Sequence, residues 1–161
     1  MESLRADAAD YHLVSRSVPV AAPSFRAVLG AADAPRTVWS APEESTVVGS
    51  GAAATLTAGG PERFEEIRAA AQSLFASGDV HAGTEAARPR LFGGFAFHAE
   101  SASGTPWEDF PGARFVFPRV QVTWTDAEAT SVDARRGEGD GGRAWLTVNA
   151  VGPDVSAEAV E

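Results

Sequence analysis

The chain has 161 residues, 44% of them apolar, and a formal net charge of -9 from 13 basic and 22 acidic side chains. That length bounds one domain, or most of one, with a real core, and no apolar run is long enough to span a membrane. The absence of cysteine excludes disulfides, thiolate metal sites and cysteine nucleophiles, and the acid excess argues against a nucleic-acid partner.

Residues 1–10 are polar and acidic, unlike a signal peptide, and are expected to be disordered. Residues 11–20 read as a first strand ended by Pro19. Pro23-Ser24 opens a short helix over residues 25–29, closed by Gly30. Residues 37–39 and 46–48 read as short paired strands joined by a turn at 41–44. Residues 51–56 continue as a strand or an irregular edge. The clearest helix is 61–77, with Pro61 at its first position and Glu62, Glu65 and Glu66 near its positive end. Phe64, Ile67, Ala71, Leu74 and Phe75 recur at helical spacing as one apolar stripe, and Gly78 supplies the stop.

A polar connection over 78–89 leads to residues 91–97, which carry no charge and place apolar side chains at odd and even positions alike. That pattern describes a central strand buried on both faces. Gly93-Gly94 within it marks a bulge or a place where another backbone or a ligand comes close. A loop through 101–106 follows, with Trp107 and Phe110 expected to anchor it on the core. Strands are expected at 114–117 and 119–125, separated by a bend at Pro118, then at 128–133 and 144–148 around a polar hairpin tip at 135–143. Residues 152–161 resemble the start of a helix, and 151–161 read as the beginning of a truncated following segment or, alternatively, as a frayed tail. The expected class is α+β: a mainly antiparallel sheet with one long packed helix, occupying residues 11–150.

Candidate chemistry is sparse. Gly49-Ser50-Gly51-Ala52-Ala53-Ala54 fits a dinucleotide-binding loop in letters, but Gly59-Gly60-Pro61 leaves no room for the required helix, so a turn between strands is the better reading. His98-Ala99-Glu100 matches half of a zinc-deaminase signature whose other half needs cysteines. His12, His81 and His98 have no metal-site spacing. No Gly-x-Ser-x-Gly elbow is present. The acidic pairs Glu43-Glu44, Glu65-Glu66 and Glu108-Asp109 read as solvated charges, and residues 138–140 lack a calcium-loop pattern. Trp39, Trp107, Trp124 and Trp145 lie in or beside predicted strands, so core packing is their default role. No residue of this chain is assigned a catalytic, substrate-binding or metal-binding role. All 13 basic residues are arginine, so no lysine is available for amine chemistry. An acidic, lysine-free, alanine-rich composition suits a salt-loving microbe or, alternatively, reflects GC-rich coding bias alone, and the missing cysteines fit a cytoplasmic location.

Several blocks taken in order resemble the N-terminal portion of isochorismate synthases, in the chorismate-utilising enzyme family. They are Leu13-Val14-Ser15-Arg16-Ser17-Val18-Pro19, Trp39-Ser40-Ala41-Pro42, Val48-Gly49-Ser50-Gly51-Ala52-Ala53, Arg90-Leu91-Phe92-Gly93-Gly94-Phe95-Ala96-Phe97, Trp107, and Arg114-Phe115-Val116-Phe117-Pro118-Arg119. The related anthranilate synthases carry Leu-Leu-Glu-Ser in the first strand, where this chain has Leu-Val-Ser-Arg-Ser. The resemblance implies the N-terminal part of a larger fold that converts chorismate to isochorismate for menaquinone or siderophore synthesis. It further implies a lysine general base, a glutamate general acid and glutamate-bound magnesium, all in a later part of the family's chain. With no lysine here, the expectation is a fragment inactive alone, needing its catalytic part in cis or as a separate chain, and meeting chorismate only with that part. The alternatives are a stand-alone binding or interaction domain, or one chain of a split enzyme such as anthranilate or aminodeoxychorismate synthase.

Overall fold

The computed structural model describes residues 11–42, 44–76, 78–98, 110–125 and 143–157. Two sheets organise them: a six-stranded sheet ordered β2-β3-β8-β9-β1-β5 and a three-stranded sheet ordered β4-β7-β6. The larger comprises β1 (His12–Ala21), β2 (Arg36–Trp39), β3 (Thr46–Ser50), β5 (Gly78–His81), β8 (Val120–Trp124) and β9 (Arg143–Gly152), and the smaller comprises β4 (Ala54–Ala58), β6 (Phe92–Phe95) and β7 (Ala113–Phe117). All pairings are antiparallel except β1 with β5. The expected α+β class, dominated by antiparallel sheet with one long helix, is what the chain forms.

The backbone of the larger sheet is the β1–β9 ladder, in register from His12 opposite Gly152 to Ala21 opposite Arg143. Pro19 does not end β1. It sits opposite Trp145 in a stretch where β5, which pairs only residues 13–16, no longer flanks the strand, so its missing N–H leaves no ladder unfilled there. The two faces of this sheet differ in kind. Val48, Val122, Trp124 and Ala144 point to one side and pack against Phe25, Val28 and Leu29 of α1 (Phe25–Ala31). Ser24 caps α1 by accepting from the Ala27 N–H at 3.1 Å, as the sequence indicated. The helix runs through Gly30 and stops at Ala32, whose N–H bonds the Val28 carbonyl.

On the other face Leu13 joins a second cluster with Leu56, Ala113 and Phe117 of the smaller sheet and Ile67 and Leu74 of α2 (Arg63–Ala76). The apolar stripe read from the sequence is therefore real, although Phe64 and Phe75 at its margins stay half-exposed. Each stacks on a sheet ring, Phe64 on Phe95 at 4.4 Å and Phe75 on Phe117 at 5.7 Å between centroids.

Several further expectations are corrected. Gly78 opens β5 rather than simply closing the helix, and the stretch read as a polar connection contributes a strand paired with β1 plus a 3-10 turn at Glu85–Ala87. Short, charged β5 gives little hydrophobic signal, and its pairing with β1 supplies what its sequence lacks. Residues 91–97 do not form a central strand: β6 covers Phe92–Phe95 at the edge of the smaller sheet and is mostly exposed. Pro118 is more than a bend, because β7 before it and β8 after it belong to different sheets. Phe110 is exposed rather than anchored in the core. β9 runs to Gly152, past the strand end read at 148. The strand at 128–133, nearly all of the hairpin tip, the loop at 101–106 and Trp107 lie outside the described residues.

Candidate functional site

The glycines of the nucleotide-loop look-alike have structural explanations. A Cβ on Gly49 would lie 2.6 Å from the Pro118 ring and closer still to Thr37, so this position closes β3 against the crossing between the sheets. Gly51 has φ 63, the left-handed turn that redirects the chain from β3 into β4. The Gly51 N–H donates to the Asp33 carbonyl at 3.1 Å and the Ala53 N–H to the Phe117 carbonyl at 2.8 Å. A strand, not a helix, follows, so the turn reading holds.

The other sequence candidates do not converge. His12, His81 and His98 are exposed, and among the described residues no three histidine, aspartate or glutamate side chains group as metal ligands. Glu65 pairs with Arg68 at 2.6 Å on the outer side of α2, and Glu44 accepts from the Trp39 indole at 3.1 Å. Glu43, Glu100, Glu108-Asp109 and residues 138–140 lie outside the described residues. Trp124 is a core residue whose indole N–H donates to the Pro23 carbonyl at 3.0 Å, and the Trp145 ring fills the space beside Gly83. Trp39, by contrast, is half-exposed on edge strand β2.

Sequence reading missed three features. The first is a buried polar layer on the inner face of the larger sheet. Ser17 Oγ and Thr147 Oγ1 lie 2.9 Å apart and both bond the Ala87 carbonyl, at 3.1 and 3.0 Å. The Gln121 amide donates to the Arg88 carbonyl and to Thr123 Oγ1, each at 3.1 Å, and the Asn149 amide donates to the Pro118 carbonyl at 2.9 Å. The 3-10 turn is thereby pinned across the sheet. Such hydroxyls and amides can position a ligand or a segment, but none supplies a general base near neutral pH. The period-two alternation Leu13, Ser15, Ser17 on β1 was the available signal.

The second is Arg63, 5% exposed at the start of α2, donating to the Gly60 and Ala96 carbonyls at 3.0 and 3.1 Å and lying 4.4 Å over the Phe64 ring. Its guanidinium ties the end of β6 to the helix without a carboxylate. The third is an apolar hollow of about 610 Å³ on the face of the smaller sheet away from α2, walled by Phe92, Phe97, Phe110 and Val116 around the exposed Arg114. Its size is that of a ligand or peptide site. A more polar cleft of about 650 Å³ lies at the Gly51 turn, between Asp33 and Arg119. At the opposite edge, Arg16 bonds Asp79 at 2.7 Å and holds its carboxyl below the usual value of 3.8, with His81 3.6 Å away adding to the effect.

Among the described residues the sheets thus carry an apolar hollow beside β6 and a more polar cleft at the Gly51 turn. A family model described as chorismate binding enzyme matches residues 2–135, most of the chain. The chain belongs to the chorismate-binding enzyme family. No curated protein matches it.

Proposed function

We propose that this chain is the N-terminal portion of an isochorismate synthase, a scaffold that acts only with a catalytic portion carrying the lysine base, the acid glutamate and the magnesium-binding glutamates. The reading is carried by the ordered blocks from Leu13 to Arg119, in a chain whose family match spans nearly the same residues. The lack of any lysine supports the division of labour, since water attack on chorismate by the family's mechanism needs that base. In this reading magnesium neutralises substrate carboxylate in the partner portion. The present chain supplies sheet packing around that centre.

The test is a coupled assay following chorismate consumption and isochorismate formation in the presence of magnesium. The chain alone is expected to give none above background, and addition of a catalytic portion from an isochorismate synthase is expected to restore turnover. Isochorismate made by the purified chain alone would overturn the proposal. Formation of anthranilate or aminodeoxychorismate instead, in the reconstituted mixture with ammonia, would move the chain to another branch of the family.

A further inference from the structure

We propose that the outer edge of β6, with the hollow beside it, is a docking site for an extended segment of a different polypeptide, apolar on the facing side except for one carboxylate that pairs with Arg114. The Ala96 N–H bonds the Gly112 carbonyl at 2.7 Å, and the register sets Phe92, Gly94 and Ala96 as the residues bonded to β7. Gly93 and Phe95 therefore turn their N–H and C=O groups outward, the template that strand addition uses. Sheet edges are usually blunted by charge, proline or a bulge. Edge strand β5 carries Asp79 and His81 and edge strand β2 opens with Arg36; β4 and β6, the two edges of the smaller sheet, carry no charge, but β4 is largely buried whereas β6, reading Phe-Gly-Gly-Phe, is mostly exposed. Around it Phe97 is 98% exposed, and Phe95 and Phe110 are also open to solvent. Apolar surface so grouped marks an interaction site.

Arg114 decides the chemistry of the occupant. It stands on β7 opposite Gly94, is exposed, and makes no hydrogen bond or ion pair among the described residues. A Cβ at Gly94 would meet nothing within 4 Å, so the space above that residue is free for the arginine to cross toward the edge. Strands lie about 4.8 Å apart, which places an added strand roughly 10 Å from β7. An arginine and a glutamate reaching toward one another span that distance. A second copy of this chain fits poorly, because a twofold β6–β6 pairing brings two Arg114 side chains together and joins two molecules of charge -9.

The probe is the capped heptapeptide Thr-Val-Thr-Glu-Thr-Val-Thr, with a second peptide in which lysine replaces the glutamate. Titration into the ¹⁵N-labelled chain is followed at the Gly93 and Phe95 amides. The glutamate peptide is expected to shift both amides and to bind about tenfold tighter than the lysine peptide, a preference that Arg114→Glu, at an exposed position, reverses. Equal binding of the two peptides, no shift at these amides, or movement of these amides with the chain's own concentration would each overturn the proposal. The last result would assign the edge to self-association. None of these readouts involves chorismate, so the proposal stands or falls apart from the assignment to isochorismate synthesis.

Discussion

The two adjacent glycines of β6 give a sharp paired test, because the structure treats them oppositely. A methyl group on Gly93 would sit 2.6 Å from the Phe115 Cα and nearer still to the Arg114 carbonyl oxygen, all backbone atoms that no rotamer change can move. Gly93→Ala therefore forces β6 away from β7 and is expected to cost about 1–3 kcal/mol, toward the upper end because the obstruction is main chain. Gly94 has open space at the same point and no left-handed φ. Gly94→Ala should instead stabilise by about 0.5 kcal/mol through reduced freedom of the unfolded chain. With a urea slope of about 2 kcal/mol per molar, the first variant lowers the unfolding midpoint by about 0.5–1.5 M and the second raises it by about 0.2 M. Equilibrium urea titration followed by tryptophan fluorescence reads both, and exchange of the Ala96 amide reports the ladder directly. Equal shifts for the two variants, or a Gly93→Ala chain as stable as the parent, would refute the close approach of β6 and β7.

Two further outcomes follow from charged side chains. Arg63→Ala removes two hydrogen bonds from a buried cation and its contact with the Phe64 ring. A loss of about 2–3 kcal/mol is expected in the same urea assay, and Arg63→Lys should recover little, since an ammonium cannot reproduce the forked donation to the Gly60 and Ala96 carbonyls. Asp79 has its pKa lowered by the Arg16 bond, so its contribution is present above the ordinary value of 3.8 and fades as pH falls through the lower folded value. Below about pH 4 the parent should lose stability more steeply than Asp79→Asn, measured as midpoint against pH; parallel profiles would contradict the pairing.

Much of the secondary structure followed from local pattern. The 3.6-residue recurrence of Phe64, Ile67, Ala71, Leu74 and Phe75 set α2, and Ser24 set the start of α1, because a helix face and an N-cap are properties of a few adjacent residues. The same letters could not say which strand lies at an edge. Leu91 to Phe97 is apolar at odd and even positions, a pattern that reports how hydrophobic both faces are and not what covers them, so a strand read as central became the exposed margin of the smaller sheet. Short β5 was invisible for the converse reason: its place depends on the β1 backbone, not on its own side chains. The polar layer of Ser17, Thr147, Gln121 and Asn149 draws on β1, β8 and β9, and the Ala87, Arg88 and Pro118 carbonyls that satisfy it lie 31 to 70 positions away along the chain. Composition alone settled that no lysine is available for chemistry. Only the tertiary structure showed Arg63 locked inside and Arg114 left exposed in an apolar hollow, because burial and pairing are decided by what the rest of the chain brings alongside.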